Sequence, residues 1–391
     1  MPVTTTYPYL QYGGIWTASQ QADAKAAGTW PSPPVPLLYS WGSNSSGALG
    51  LGNTTAYSSP KQVGSDTNWL QIVAGGYNNT SAAIKTNGTL WMWGNNARGQ
   101  LGNGNTTNYS SPVQIGALTG WLQVSTGRYR ATAAIKTDGT LWMWGNNTFG
   151  SLGLGNTTDY SSPKQVGSGT SWSLVACGNA STFAIKTDGT LWSWGYNPSG
   201  QLGLGNTTYY SSPKQIGALT NWSKVNSVGN FCMAIKTDGT FWAWGVNNTG
   251  QLGLSDTTGR LSPVQVGALT NWSKISSGMT ASLAIKTDGT LWAWGLNSSG
   301  QLGQGNTTNQ SSPVQVGALT TWLYVVATYT SSYSIKTDGT LWSWGGNSFG
   351  QLGLGNTTNR SSPVQVGALT TWTTLSTFGG NANHMLAIAL N

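Results

Sequence analysis

The groups that could do chemistry are few, and they are scattered. The 391-residue chain holds one histidine, His384, two cysteines, Cys177 and Cys232, and nine acidic residues, all of them aspartate. Five of those, Asp138, Asp188, Asp238, Asp288 and Asp338, sit in identical Lys-Thr-Asp-Gly-Thr turns. Asp23, Asp66, Asp159 and Asp256 are left, far apart in sequence, for any paired-carboxylate acid/base work. A Ser-His-Asp set would have to use His384, and no nucleophile elbow accompanies it. Hard-cation sites need several carboxylates and softer ones need His and Cys together, so neither kind of metal site is expected. Cys177 and Cys232 read as two buried, unpaired thiols. The glycine-rich Gly200-Gln-Leu-Gly-Leu-Gly205 lacks the Gly-Lys-Ser/Thr ending of a phosphate loop and recurs in nearly every repeat. Catalysis and a bound cofactor are therefore not expected.

What positions these residues is a repeat. Ile185-Lys-Thr-Asp-Gly-Thr-Leu-Trp-Ser-Trp-Gly195 returns almost unchanged at 84–94, 135–145, 235–245, 285–295 and 335–345, with a clipped copy at 37–42. Trp-Gly pairs begin at 41, 93, 144, 194, 244, 294 and 344, a period of about 50, where arrays and propellers are found. Each copy predicts a hairpin around its Asp-Gly, read as a tight two-residue turn with positive φ. A long loop follows, then a Ser-Pro-x-Gln strand, whose proline suits a sheet edge, then a Gly-Ala-Leu-Thr-x-Trp turn into the next strand. Four strands per unit and seven units predict an all-β, seven-bladed propeller. The chain begins with the third and fourth strands of a blade and ends with the first two, so both termini build one blade and close the ring. The Trp side chains are expected to pack between blades.

Residues 1–36 stand outside the repeat, as an arm with one short helix and a Pro-rich spacer; 37–391 form the propeller. Tyr7, Tyr9, Tyr12, Trp16 and Trp30 are the arm's candidate attachment residues. No basic start with an apolar core reads as a signal peptide, and no apolar run is long enough for a membrane span. Asn-x-Ser/Thr triplets at Asn53, Asn105, Asn156 and Asn206 read as loop composition. The formal charge of +8 is spread thinly, which argues against nucleic acid.

Strand alternation divides the loops between two ends. One end carries the Asp-Gly turns, with Lys85, Lys136, Lys186, Lys236, Lys286 and Lys336 expected as solvated strand ends. The other carries the long loops and the short loops before each Ile strand, which differ from copy to copy. Divergence confined to one loop class marks where individual function would sit. The contact candidates there are Tyr77, Arg128, Tyr129, Arg130, Phe231, Met279, Tyr329, Tyr333 and Phe378, with Tyr57, Tyr109, Tyr160, Tyr209, Arg260 and Arg360 in the outer loops.

The run Trp-Gly-x-Asn-x-x-Gly-Gln-Leu-Gly-Leu-Gly, then Ser-Pro-x-Gln-Val, then Ala-Ile-Lys-Thr-Asp-Gly resembles the regulator of chromosome condensation repeat family over roughly 37–391. The resemblance implies a seven-bladed propeller closed by both ends. The family includes a nucleotide exchange factor for a small GTPase, chromatin binders and many bacterial and viral proteins. Where many members carry a His before the Ala-Leu strand, this chain has Asn79, Ala131 and Phe231, and it has no long inserted β-wedge of the kind the exchange factor uses. The arm segment Tyr12–Pro31 resembles a short segment of tailed-phage structural proteins. Together with the near-identical repeats and low charge, this leads to an expectation of a virion component. In that reading the arm attaches to other virion proteins, the variable loops contact a host-surface glycan or protein, and several copies are present. The alternative is an intracellular, cytoplasmic propeller that binds a regulatory protein or nucleic acid.

Overall fold

In the computed structural model, residues 34–75, 79–376 and 383–391 are described. The arm residues Tyr7, Tyr9, Tyr12, Trp16 and Trp30 lie outside them, as do Tyr77 and Phe378. The propeller unit begins at Pro36. It is built from seven four-stranded antiparallel sheets, six of which take their strands in chain order. The second blade consists of Trp69–Ala74, Thr80–Lys85, Leu90–Gly94 and Tyr109–Gln114, and the fourth of Trp172–Cys177, Ser181–Lys186, Leu191–Gly195 and Tyr210–Gln215. First strands of successive blades neighbour one another, which places them around the axis and leaves the Ser-Pro strands at the rim.

The seventh sheet closes the ring. Its order runs from Tyr57–Gln62 through Pro36–Gly42 and His384–Leu390 to Trp372–Leu375. Pro36–Gly42 pairs in unbroken register with the last strand, Leu38 opposite Ile388 and Trp41 opposite Met385. This terminal clasp removes the open sheet edge that a linear array would expose.

Tryptophan fills the junctions between blades. Trp41, Trp93, Trp144, Trp194, Trp244, Trp294 and Trp344 are fully buried. Each donates its indole N–H to a carbonyl of the preceding blade's long loop, as Trp194 does to Ser151 O at 2.9 Å. The ring seats over Gly153, where an added Cβ would lie 2.7 Å from Trp194 Nε1. That is why the recurring Gly-x-Leu-Gly-x-Gly run is rich in glycine: it lets an indole approach backbone. The same loop is held from within by asparagine. Asn197 Oδ1 accepts from Leu202 N at 2.9 Å, and Asn197 Nδ2 donates to Asn206 O and Thr208 O at 2.9 and 3.0 Å. The Asn-Thr-Thr triplets are thus loop scaffolding.

The hairpin turns differ from the expected two-residue form. Gly189 N donates to Lys186 O at 2.9 Å and Lys186 N to Thr190 O at 3.0 Å, which makes a three-residue loop. Only Gly189 has positive φ, at 78°, and Asp188 does not. Asp188 has another task. Its Oδ1 accepts from Thr190 N at 2.9 Å and Thr190 Oγ1 at 2.6 Å, and Thr190 Oγ1 accepts from Trp192 Nε1 at 2.9 Å. The turn carboxylate therefore orients the Trp that follows it. These hydrogen bonds hold the Asp138, Asp188, Asp238, Asp288 and Asp338 carboxyls below the usual carboxylate range.

The lysines before these turns are not solvated ends. Lys236 Nζ lies 4.9 Å from the ring centre of Trp222 and 3.7 Å from that of Trp242, and Lys286 and Lys336 repeat the arrangement. Lys236 is backbone-paired with Trp222, so its stem runs across the indole and its ammonium finishes over a π face. Burial pulls the Lys236, Lys286 and Lys336 ammoniums below their ordinary range.

Candidate functional site

Among the described residues no group of three His, Cys or Asp side chains comes together to hold a metal. His384 Nε2 lies 2.9 Å from Ser81 Oγ, which also donates to Ala48 O at 2.7 Å. The pair is sealed. His384 is fully buried, its Nδ1 has no partner, and burial lowers its pKa to about 4. Fully buried and with no carboxylate behind the ring among the described residues, this dyad is a packing contact. Cys177 and Cys232 are buried free thiols, and burial pushes Cys177 up to about 12, away from thiolate chemistry. The described residues do not assemble a catalytic site.

The antiparallel strand order puts the long loops and the short loops between first and second strands at one end of the barrel of blades. At that end four aromatic side chains from the third and fourth blades converge. Tyr129 meets Phe149 edge-on, with ring centres 5.8 Å apart. Phe149 lies 4.6 Å from Tyr196 and 6.0 Å from Tyr209, and Tyr196 lies 5.1 Å from Tyr209. Tyr129 and Tyr209 are nearly half exposed, at 47% and 45%. Desolvation, with Tyr209 and Tyr129 nearby, raises the Tyr196 hydroxyl above its ordinary value. Arg128 and Arg130 flank Tyr129, both half-buried, and Arg130 holds φ at 67°. A positive φ is uncommon in a residue with a long side chain and marks a constrained loop. The loop is fixed from below: Gly127 N donates to Ala131 O at 2.7 Å and Arg128 N to Gly178 O of the next blade.

This patch gathers three of the candidate contact residues, Arg128, Tyr129 and Arg130, with Tyr209 from the outer loops. Phe149 and Tyr196 were missed. Both stand in variable positions of the Trp-Gly-x-Asn-x-x-Gly run, which sequence reading treats as a single repeated block. Tyr329 is 43% exposed on the seventh blade and Met279 half-buried on the sixth, and neither joins the cluster. Phe231 and Tyr333 are not surface residues. Both are fully buried, because the second strand begins earlier than expected and their alternation points them into blade junctions. Tyr333 Oη donates to Gln351 O at 2.7 Å. Arg260 is tied to Asp256 at 2.6 Å.

A closed ring of Trp-packed blades with a variable loop end is a repeat propeller, and its site is a surface. The chain belongs to the RCC1-like domain family, which it matches over residues 37–387. It is 37% identical over 131 residues to the ultraviolet-B receptor UVR8 of Arabidopsis thaliana, across 33% of this chain and 30% of that protein. It is 36% identical over 141 residues to the human X-linked retinitis pigmentosa GTPase regulator, across 34% of this chain and 14% of that protein. The chain thus matches under a third of the length of these relatives. Among solved structures, Prp20p from Saccharomyces cerevisiae superposes with a TM-score of 0.81 at 20% identity, covering 95% of this chain and 94% of that one.

These relatives correct the virion reading. They are cellular proteins of a plant, an animal and a yeast, and nothing among them ties the chain to a phage particle, to virion partners, to a host-surface receptor or to a virion location.

Proposed function

We propose that this chain is a non-catalytic interaction propeller that works inside a cell, binding a regulatory protein through the aromatic patch on its long-loop end. The observation that carries the reading is the convergence of Tyr129, Phe149, Tyr196 and Tyr209 beside two arginines. Aromatic and arginine side chains are over-represented among residues that dominate protein–protein binding, because they bring large contact area with little entropy to lose. Among the described residues these four rings are gathered on the third and fourth blades.

Membership in a family whose relatives include a receptor and a GTPase regulator supports the reading. Those activities differ, while the matched stretch is the propeller, as expected of a module that supplies recognition. Charge complementarity points to a partner segment with acidic side chains beside apolar ones, facing Arg128 and Arg130. The test is comparative capture. Wild-type chain, Tyr129→Ser/Phe149→Ser, and a control altered at the opposite end, Leu269→Ser, are used as baits. The expected result is one protein retained by wild type and control, lost with the double variant, and bound directly when purified. A partner retained equally by all three baits contradicts the assignment.

A further inference from the structure

At the Asp-Gly-turn end, each lysine over its two Trp rings has a neighbour from the turn that precedes the first strand. In the second blade that neighbour is Asp66, whose Oδ2 lies 2.9 Å from Lys85 Nζ. Lys85 Nζ is at the same time 4.8 Å from the Trp69 ring centre and 3.9 Å from that of Trp91. The molecule thus contains a worked example of a carboxylate bound to a lysine that lies over two indole faces. In four other blades the residue at this place is leucine, at 118, 219, 269 and 319; Leu369 holds it in the closing blade, where Ala389 and not a lysine stands opposite Trp372. In these blades and in the Asp66 blade alike the indole N–H of the first-strand Trp, as in Trp69, Trp222, Trp272 and Trp322, is buried without a partner, so Asp66 meets the lysine and not the indole N–H.

The fourth blade departs from both patterns, with Gly169 at this position. A Cβ on Gly169 would meet only Trp172 Nε1, at 3.9 Å, and its backbone is not in the left-handed region. The glycine is therefore not there for backbone reasons, and it leaves the place of a side chain empty. A cavity of about 450 Å³ opens at this point, lined among others by Gly169, Trp172, Lys186, Trp192 and Pro213; a groove of about 630 Å³ lies at the same place on the seventh blade beside Leu319, so what sets the fourth blade apart is the missing side chain and not the groove. Lys186 Nζ sits 4.9 Å from the Trp172 ring centre and 4.2 Å from that of Trp192 and makes no ion pair. The nearby Asp188 carboxylate is engaged with Thr190. Trp172 Nε1 is not among the sealed indoles and has no hydrogen-bond partner.

We propose that the Gly169 cavity is a carboxylate-binding site. The ligand carboxylate takes the place that Asp66 fills in the second blade, accepting from Lys186 Nζ beside the Trp172 ring, while the body of the ligand lies against the Trp192 face and Pro213. Both a free carboxylic acid and the acidic side chain of a protein partner carry this chemistry. Gly169 and Lys186 lie at the opposite end from the aromatic patch, and the cavity runs from them to Gly153, Leu154 and Gly155 of the third blade's long loop.

Four probes are titrated into the full chain, with ¹⁵N-labelled Trp followed by NMR: benzoate, benzamide, blocked Gly-Gly-Asp-Gly-Gly and its Asn counterpart. The Trp172 indole is assigned with Trp172→Phe. The expected result is a saturable shift of that resonance with an acid and none with the matching amide. Benzoate alone acting indicates a small acid, and the Asp peptide acting indicates a protein side chain. Gly169→Asp, which supplies an internal carboxylate, abolishes the shift. Lys186→Gln weakens binding at least tenfold. Because Asp already occupies this position in the second blade, the Gly169→Asp variant folds, and an unchanged Tm checks it. Equal responses to acid and amide, no response to any probe, or full binding by Gly169→Asp overturns the proposal.

Discussion

His384 on the final strand reaches into the second blade and places Nε2 2.9 Å from Ser81 Oγ, so the closing clasp is pinned to its neighbour by the chain's one histidine. Burial alone lowers its pKa from 6.5 to about 4. Between these values the unfolded chain takes up a proton that the folded chain refuses. The contribution to stability is complete above about pH 6.5 and is lost as the pH falls towards about 4. The full loss is on the order of 3 kcal/mol. Urea midpoints at pH 7 and 4.5 should differ markedly for wild type and much less for His384→Gln, which keeps a donor to Ser81. Equal pH slopes for the two proteins contradict this.

The junction tryptophans and the hairpin tryptophans should differ in weight. Trp194→Phe removes the indole hydrogen bond to Ser151 O and leaves a gap in a fully buried junction. Its expected cost is about 1–3 kcal/mol. Trp192→Phe loses the bond to Thr190 Oγ1 and exchanges the indole face under Lys186 Nζ for a phenyl one at a partly exposed ring, and should cost about 1 kcal/mol, less than Trp194→Phe. Urea unfolding of the two single variants checks the order.

Gly189→Ala should be costly for two reasons. The residue holds φ at 78°, and its new Cβ would lie 2.0 Å from Thr220 O in the neighbouring turn. A loss on the order of 2 kcal/mol or more is expected. Gly217→Ala makes the comparison: it shares a positive φ of 60° but meets nothing within 4 Å, so it should lose less.

Closure of the ring should be separable from blade formation. Leu38 is fully buried opposite Ile388 in the terminal pairing. Leu38→Asp places an unpaired charge there, at a cost of several kcal/mol. Small-angle scattering should show an expanded particle that retains β structure by circular dichroism. A radius equal to wild type would show that the clasp is dispensable.

The architecture was legible because it is written seven times. Trp-Gly spacing, the Asp-Gly turns and strands shared between the termini led directly to a closed seven-bladed ring, as found. The lysines were misplaced, since a charged side chain at a strand end looks solvated until the facing indoles are positioned. Phe231 and Tyr333 looked like loop residues because the sequence does not mark where each second strand begins. The aromatic patch was only half visible. Tyr129 and the two arginines stand out in a variable loop, but Phe149 and Tyr196 join them across a blade junction, and such a pairing depends on geometry rather than local sequence. The cellular setting was misread because a twenty-residue arm and low charge carry little information about origin.

The central claim is that recognition occurs at the Tyr129, Phe149, Tyr196 and Tyr209 patch. Its most direct test is hydroxyl-radical footprinting of the chain, free and bound to the partner recovered by capture. Protection at these four rings, with the exposed Leu219, Leu269 and Leu319 at the opposite end still oxidised as in the free chain, is the predicted result. Protection of those leucines with the four rings left reactive would place the interface at the other end and contradict it.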